Sequence, residues 1–459
     1  MKKGARVVVV GGGLSGLVAA RRLNERRPDL DVRILEASER AGGILGTLEH
    51  DGFVIETGPD SILSSKPAAV ELARELGIAD RIVETNDAHR GAYVVHRGRL
   101  VHVPDGFSLM APTRMLPWAA TPIISWRGKL RAAIEPLVPR RGSSEEESLA
   151  SFVTRRFGPE LLDRLAQPLI GGIYGGDPDR LSLRATMPRF IAMEQRHGSV
   201  IRGMRAGQKG DDVQASGARY GLFVAFDRGM QVLIDALVDA VGDRLALRAP
   251  VERLTRTSEG WRVGELDADA VVLALPAWRS AALLAPHDAA LADGMRAIPY
   301  GSAATVTFAW PRDAFAHPPD AFGIVVPTVE RRGILAATFA STKWPGRAPE
   351  GQALVRVFIG GANALDVPDL DDASLVALAR RELVRLMGVR GEPRFSFVRR
   401  YVRAMPQYVL GHEARVDALE SRAGAHADLA VVGNAYRGVG IPDTIAYARA
   451  RIDRWLARS

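Results

Sequence analysis

The chain has 459 residues, long enough for two or three domains, and carries a formal net charge of +8 at pH 7, with 61 Lys and Arg against 53 Asp and Glu. It contains no cysteine, which excludes disulfides, thiolate catalysis and cysteine-ligated metals, and its nine histidines form no HExxH or H-x-H pair, so no metal site is predicted. The basic residues form no block interleaved with aromatic residues, and nucleic acid is not an expected partner.

The first forty residues predict a βαβ unit that binds a dinucleotide. Four valines at 7–10 form an apolar strand that runs directly into the pattern G-x-G-x-x-G at 11–16. A helical pattern and a second apolar strand at 32–35 follow, and Glu36 comes twenty residues after Gly16. In this motif the glycines allow a tight turn, a close pyrophosphate and close packing of helix on strand, while the acidic residue binds the ribose. The helix N-terminus would offer free N–H groups to the phosphates.

Two short segments favour FAD over a nicotinamide dinucleotide. Residues 39–43 read Glu-Arg-Ala-Gly-Gly and follow the ribose carboxylate at once. An arginine before a glycine pair suits a backbone that lies against a large flat cofactor, with a cation near its diphosphate. Residues 56–59, Glu-Thr-Gly-Pro, add a strand end and a glycine turn. Together the two segments resemble the N-terminal signature of flavin amine-oxidase-type proteins, in which the dinucleotide is FAD.

The next stretch suggests a contact with a membrane surface. No run of eighteen apolar residues occurs, so no transmembrane helix is predicted. Residues 104–126 mix apolar residues with prolines and two tryptophans, and 128–135 looks helical with Lys129 and Arg131 on its polar side. Tryptophan and basic residues are typical of membrane interfaces. A loop-rich substrate lid or ordinary core remains an equal alternative.

Segments further along the chain complete the nucleotide domain. Strands are predicted at 249–254, 269–276 and 429–432, and the last is followed by a glycine loop and a helix that ends near Trp455. This loop places a second helix N-terminus near the ligand. A mixed sheet with one helix is predicted from strand patterns at 303–310, 354–359 and 394–402 and a helical pattern at 373–387.

Along its whole length the chain resembles the protoporphyrinogen oxidase family, which includes the related coproporphyrinogen III oxidases of heme synthesis. Residues 171–177, Gly-Gly-Ile-Tyr-Gly-Gly-Asp, resemble the family's glycine-rich motif over the flavin. The most specific match is the C-terminal signature at 433–443, Gly-Asn-Ala-Tyr-Arg-Gly-Val-Gly-Ile-Pro-Asp. Further matches, in the expected order, lie at 322–327, 334–339, 343–349, 405–408 and 411–412.

The resemblance implies an α/β fold with three parts. A p-hydroxybenzoate-hydroxylase-like, Rossmann-type FAD domain is expected at 1–90, 220–280 and 425–459. A mainly helical insert of the membrane-binding or lid type is expected at 91–219. A mixed α+β substrate domain is expected at 281–424.

The resemblance also implies a reaction, the oxidation of a porphyrinogen to a porphyrin in heme biosynthesis. The substrate would be protoporphyrinogen IX or coproporphyrinogen III, and six electrons would pass through FAD to three molecules of oxygen, releasing hydrogen peroxide. The cofactor supplies the electron chemistry and the protein orients the macrocycle, so no dedicated base is assigned. The expected partners are the tetrapyrrole and oxygen, with a cytoplasmic location, peripheral attachment to the inner face of the cell membrane and a homodimer as further expectations. A carotenoid desaturase or amine oxidase of the same fold, or a porphyrin carrier that keeps FAD for structure, are the alternatives.

Site residues follow from the resemblance position by position. Gly172 is expected over the isoalloxazine, at the catalytic face where the macrocycle docks, and Phe322 and Val325 are expected to clamp the tetrapyrrole by apolar contact. Where much of the family has an arginine that pairs with a substrate carboxylate, this chain has Ala92, with Arg90, Arg97 or Arg99 as replacements. The residues expected to line FAD are Gly11, Gly12, Gly13, Leu14, Ser15, Gly16, Glu36, Ala37, Arg40, Gly43, Ile44, Gly58, Pro59, Asp60, Ser61, Val251, Val439, Gly440 and Ile441.

Overall fold

The computed structural model describes residues 1–143, 145–207, 223–361 and 367–458. Its strands are β1 (Arg6–Val10), β2 (Asp31–Leu35), β3 (Thr47–His50), β4 (Phe53–Glu56), β5 (Ile62–Leu63), β6 (Ile82–Glu84), β7 (Tyr93–His96), β8 (Arg99–His102), β9 (Phe107–Ser108), β10 (Ala111–Pro112), β11 (Phe223–Phe226), β12 (Leu245–Ala246), β13 (Leu254–Arg256), β14 (Trp261–Val263), β15 (Leu266–Ala268), β16 (Ala270–Leu273), β17 (Tyr300–Pro311), β18 (Gly323–Val325), β19 (Ala336–Phe339), β20 (Gln352–Gly360), β21 (Phe395–Pro406) and β22 (Leu429–Val431).

Its α-helices are α1 (Leu14–Arg26), α2 (Ala68–Glu75), α3 (Met115–Ala120), α4 (Trp126–Ala133), α5 (Leu149–Phe157), α6 (Pro159–Leu161), α7 (Gln167–Tyr174), α8 (Leu183–Thr186), α9 (Pro188–His197), α10 (Val200–Gly207), α11 (Gln231–Val241), α12 (Ala277–Leu284), α13 (Ala289–Arg296), α14 (Ala340–Lys343), α15 (Asp372–Met387), α16 (His412–Ala423) and α17 (Ile441–Leu456). The boundary predicted between residues 219 and 220 lies outside the described residues.

A five-stranded parallel sheet, in the order β12-β2-β1-β16-β22, forms the nucleotide-binding part of the molecule. Successive side chains of a strand point to opposite faces, so Val7 and Val9 pack against α1, α11 and α17, while Val8 and Val10 pack against α12, α13 and α16. Both faces are covered, which explains why β1 is apolar at every one of these positions. The predicted βαβ unit is confirmed as β1–α1–β2, and the strands predicted at 269–276 and 429–432 are confirmed as β16 and β22.

The strand predicted at 249–254 is wrong, because only Leu254 belongs to a strand, β13. The N–H of Ala249 donates to the carbonyl of Glu36 (2.8 Å), and Pro250 has no N–H with which to continue a ladder. The segment instead crosses the edge of the sheet and forms part of the cavity wall described below.

A seven-stranded sheet, in the order β21-β17-β20-β19-β18-β7-β8, forms a second layer with α15 packed on it. Its neighbouring strands are antiparallel except for β18 and β7, which are parallel. Residues 93–102, assigned by the prediction to the helical insert, lie in this sheet as β7 and β8. Tyr93 and Val95 pack in its core whereas Val94 faces the helices, so β7 joins the two parts.

Helices α3 to α10 pack around a separate apolar core. No helix within the described residues combines the length and the apolar character needed to cross a bilayer. A buried ion pair holds this cluster together: Arg156 and Glu135 are both fully buried. The Arg156 guanidinium also reaches Glu194 (3.1 Å), and Glu135 accepts the N–H of Val200 (2.9 Å), so the charges are well satisfied.

Replacing Arg156 by Leu should destabilise the helical cluster strongly, since it leaves the Glu135 carboxylate buried without its cation. The expected cost is about 3–5 kcal/mol, measured as the loss in free energy of unfolding in urea. The control is Arg228→Gln, which removes a pair with Glu49 on the exposed surface and should cost less than about 1 kcal/mol. Equal, small costs for both substitutions would contradict this account.

Candidate functional site

A cavity of about 660 Å³ opens at the C-terminal ends of the parallel strands, where ligands bind in open α/β sheets. The turn after β1, Glu36 after β2, Leu275 after β16 and Asn434 after β22 all border it. The wall is therefore assembled from segments that are distant in sequence and meet at one edge of the sheet.

Three glycines of the first turn, Gly11, Gly12 and Gly16, are required by the space available within the protein. A Cβ at Gly16 would lie 1.9 Å from the carbonyl oxygen of Gly11, and one at Gly12 would lie 2.8 Å from the Cβ of Glu36. Gly11 adopts a φ of 108°, which favours glycine. Helix α1 consequently lies directly against the turn, with its first residues in the cavity wall.

The N-termini of α1 and α17 both border this cavity. Gly13 is the N-cap of α1 and Gly440 the N-cap of α17, and neither helix has a side-chain capping bond. Their first-turn N–H groups are thus available to an anion, which the helix dipole also favours. Val439 and Ile441, on either side of Gly440, line the cavity.

The Glu36 carboxylate is held at the cavity edge by two backbone contacts. Its Oε2 accepts the N–H of Gly12 (2.6 Å) and its Oε1 accepts the N–H of Ser38 (2.9 Å). A carboxylate in this position, at the end of the second strand, suits the hydroxyl groups of a ribose.

Gly58 and Pro59 form a turn whose position depends on the seven-stranded sheet. Pro59 and Ile44 border the cavity, and a Cβ at Gly58 would lie 2.0 Å from the carbonyl oxygen of Ile44. Arg356, from β20, donates to the carbonyl of Gly58 (2.6 Å) and is buried. The turn is therefore fixed from the second layer of the fold.

Asp60 and Ser61 lie behind this turn, in a buried network of charges. Lys343 donates to Ser61 Oγ (2.6 Å) and to Asp60 (3.2 Å), and Arg356 donates to the other oxygen of Asp60 (3.2 Å). Burial alone would raise the pKa of Asp60, but Lys343 and Arg356 together hold it well below its usual range. Neither Asp60 nor Ser61 is part of the cavity wall.

Arg40 orders the backbone of the neighbouring loop. Its guanidinium donates to the carbonyls of Ala41, Leu45 and Gly43, each at 2.9 Å. Burial and the nearby Arg399 lower the pKa of Arg40. Arg40 is not part of the cavity wall. Its guanidinium binds backbone carbonyls, whereas the sequence predicts a cation beside the diphosphate.

The residues predicted to line the cofactor thus fall into two groups, those in the cavity wall and those outside it. Those in the wall are Gly11, Gly13, Leu14, Ser15, Glu36, Ala37, Gly43, Ile44, Pro59, Val251, Val439 and Ile441. The others, which are not part of the wall, are Gly12, Gly16, Arg40, Gly58, Asp60, Ser61 and Gly440. Wall residues that the sequence did not indicate include Trp278, Arg279, Val402, Arg403 and Ala404, for which no local motif exists.

The glycine-rich segment on α7 is tied to the C-terminal loop. Gln407 donates to the carbonyl of Tyr174 at the end of α7 (3.0 Å), and Tyr408 donates to the carbonyl of Asn434 in the cavity wall (2.6 Å). Gly172 itself is exposed, and a Cβ there would meet nothing within 4 Å. The structure thus links α7 to the edge of the cavity and leaves the face of α7 at Gly172 open.

The predicted substrate contacts differ in their surroundings. Val325 is half-buried and packs against the helical core that contains α7, whereas Phe322 is buried and its N–H donates to the carbonyl of Gly91 (3.0 Å). Ala92 is buried, and Arg90 pairs with Asp87. None of Gly172, Phe322 and Val325 borders the 660 Å³ cavity.

The chain is similar to known proteins over nearly its whole length. The family model for flavin containing amine oxidoreductases matches residues 14–450. The coproporphyrinogen III oxidase of Bacillus subtilis (strain 168) is 32% identical over 97% of each chain, and that of Propionibacterium freudenreichii subsp. freudenreichii is 34% identical over 97% of this chain and 90% of its own. A crystal structure from Exiguobacterium sp. 255-15, provisionally assigned as a protoporphyrinogen oxidase, superimposes with a TM-score of 0.89 at 29% identity over the whole of both chains.

Gly16→Ala should abolish most flavin binding, because the added methyl group pushes α1 away from the turn after β1. The measurement is the ratio of flavin to protein absorbance in the purified protein. Gly142→Ala is the control, since a Cβ there meets nothing within 4 Å. Full flavin content in the Gly16 variant would refute the packing argument.

Glu56, at the end of β4, makes the stability depend on pH. Burial raises the pKa of Glu56 to about 7 despite the nearby Arg347, whereas the unfolded carboxyl ionises near 4.5. Unfolding therefore releases a proton between these values, so the contribution of this group is full below pH 4.5 and is lost as the pH rises to about 7.

Glu56→Gln removes this loss of stability because the amide never ionises. We expect the free energy of unfolding of the variant to exceed that of the natural protein between pH 4.5 and 7, by up to about 3 kcal/mol at pH 7. Chemical unfolding at several pH values measures the difference, with Glu350→Gln as the exposed control. Parallel stability curves for the Glu56 variant and the natural protein would contradict it.

Proposed function

The chain belongs to the flavin containing amine oxidoreductase family, and from this premise we propose that it is an FAD-dependent enzyme that oxidises a porphyrinogen to a porphyrin in heme biosynthesis, with molecular oxygen as acceptor. The observation that carries the proposal is the match with coproporphyrinogen III oxidases over nearly the full length of both chains. This match favours a porphyrinogen over the amine or carotenoid substrates that the fold alone would allow.

Two parts of the cavity suit groups of FAD. Glu36 suits the ribose, and the uncapped N-termini of α1 and α17 suit a diphosphate. A Cβ at Gly13 would have only the Cα of Gly43 within 4 Å, at 3.9 Å, so the wall is open at this glycine. FAD supplies the electron chemistry when bound. The protein holds it, and the Gly58–Pro59 turn fixed by Arg356 sets one side of the cavity.

The tetrapyrrole is proposed to dock between α7 and β18. Gly172 offers an open surface on which a flat ring can lie, and Val325 adds an apolar contact from the facing strand. Tyr174, two residues after Gly172, is fastened to Gln407, so the orientation of α7 relative to the C-terminal loop is fixed. Gly172 and Val325 bind and orient the ring in this proposal, while aromatisation of the product drives the oxidation.

The activity is tested by mixing the purified yellow protein with coproporphyrinogen III or protoporphyrinogen IX in air and following porphyrin fluorescence. We expect coproporphyrinogen III to be oxidised, with three molecules of hydrogen peroxide per porphyrin, since six electrons leave the macrocycle. Anaerobic samples serve as the control for the acceptor. No rise above autoxidation with either substrate would refute the proposed function.

Gly172→Ala should separate substrate docking from folding. A methyl group has free space in the protein itself and suits a helix, so stability and FAD content should be kept. On the face where the ring lies, one added carbon should lower kcat/KM by about 10- to 200-fold. Unchanged kcat/KM beside an unchanged Gly142→Ala control would place the substrate elsewhere.

A surface on α3, α4 and the following turn is proposed to contact an anionic membrane. Its large apolar side chains point to solvent: Leu116 is 85% exposed, Leu137 77% and Trp126 69%. Arg127 lies beside the Trp126 ring at 5.6 Å, so a cation accompanies the apolar group. Tryptophan, leucine and a basic side chain together suit the boundary of an anionic lipid layer.

The double substitution Trp126→Ser with Leu137→Ser should weaken co-sedimentation with anionic vesicles at least about fivefold, because two apolar anchors are lost. Leu247→Ser, at another exposed leucine, is the control. Binding of the natural protein should also fall as salt is added. Equal vesicle binding by the double variant and the control would exclude this surface.

A further inference from the structure

Two arginines and a tryptophan form part of the cavity wall that no motif explains. Trp278 and Arg279 lie in the first turn of α12, shortly after β16, and Arg403 lies near the end of β21. The guanidinium carbon of Arg403 is 4.5 Å from the centre of the Trp278 ring, and that of Arg279 is 5.0 Å from it. All three residues border the 660 Å³ cavity and are called the Arg–Trp–Arg cluster below.

An irregularity in the seven-stranded sheet puts Arg403 in this position. The regular pairing of β17 with β21 is interrupted at 402–404, and Arg403 adopts a left-handed φ of 47°. Such a conformation is strained for a non-glycine residue, and it is found preferentially at functional sites. The N–H of Arg403 donates to Ser302 Oγ (3.0 Å) and its carbonyl accepts from Trp278 Nε1 (3.2 Å), so both sides of the peptide are held.

The two guanidinium groups of the cluster lack a charged partner among the described residues. Within the described part of the chain, neither Arg279 nor Arg403 forms an ion pair or a guanidinium hydrogen bond. Their contact with the Trp278 ring is a weak attraction that leaves the N–H donors available. Two unpaired cations beside a cavity are a binding surface for an anion.

The anion can be identified from the neighbouring turn. The carbonyl oxygen of Ala274 lies 2.6 Å from where a Cβ on Gly11 would stand, so the segment that leads into the cluster touches the glycine turn itself. That turn and the N-terminus of α1 are the part of the cavity suited to phosphates. Arginine is the side chain whose planar fork of donors best matches phosphate oxygens.

We propose that Arg279 and Arg403, held in place by Trp278, bind the diphosphate of FAD together with the N-terminus of α1. The cofactor would then be bound by side chains from two layers of the fold, Arg279 from the nucleotide domain and Arg403 from the seven-stranded sheet. The inference rests on the flavin of the family and is independent of which substrate the enzyme oxidises.

The test is the dissociation constant of FAD, measured by diluting the holoenzyme and following the fluorescence of released FAD. Arg403→Gln and Arg279→Gln should each raise the dissociation constant about tenfold, as expected when an exposed arginine loses a charge-assisted hydrogen bond to the cofactor. Arg403→Lys should recover part of the loss because it keeps the charge without the fork. The salt dependence of FAD release should be steeper in the natural protein than in the Gln variants.

Arg127→Gln is the matched control, since it also removes an exposed arginine that lies beside a tryptophan, on α4 and not in the cavity wall. It should leave FAD release unchanged, and circular dichroism checks that every variant is folded. Unchanged FAD affinity and salt dependence in both cluster variants would overturn the proposal. So would unchanged FAD affinity with a raised KM for the porphyrinogen, because the arginines would then serve a substrate carboxylate. A natural protein that retains FAD but oxidises no porphyrinogen would refute the proposed function and leave this inference standing.

Discussion

The absence of space between helix α1 and the turn after β1 is the constraint on which the nucleotide domain depends. A Cβ at residue 16 would overlap the carbonyl oxygen of Gly11, so α1 can lie in its position only because residue 16 is glycine. Its position brings its uncapped N-terminus to the cavity and lets the N–H of Gly12 hold the Glu36 carboxylate. Helix α17, which shares the core with α1, then brings a second N-terminus to the same cavity.

Residues of the seven-stranded sheet and of the segments around it complete the cavity that the nucleotide domain forms. Arg356 reaches from β20 to the carbonyl of Gly58, and Lys343 and Arg356 hold Asp60 behind the turn. The bulge at 402–404 brings a further piece of the same sheet into the wall. Burial of these charges is tolerated because each has partners, and breaking any one would leave another uncompensated. The cavity is consequently a product of how the layers meet.

Strand β7 connects the third part, the helical cluster, to the same arrangement. Its alternate side chains divide between two cores, Val94 facing the helices and Tyr93 and Val95 facing the sheet. Gln407, at the end of the long strand β21, holds the carbonyl of Tyr174 at the end of α7. The open face at Gly172 is therefore oriented by a strand that also contributes to the cavity wall.

The sequence by itself determined the features that depend on neighbours along the chain. The valines of β1, the glycine turn, Glu36 and the glycine loop before α17 each need a specific residue type at a fixed spacing, so local pattern predicted the βαβ unit and the part of the cavity wall that these segments form. Only the tertiary structure decided that Asp60 and Arg40 face partners behind the wall, that 249–253 forms no strand, and that β7 and β8 join the seven-stranded sheet. The Arg–Trp–Arg cluster is the extreme case, because Trp278 and Arg403 are 125 positions apart. Their contact follows from a bulge whose position is set by the packing of two layers, and no local spacing encodes it.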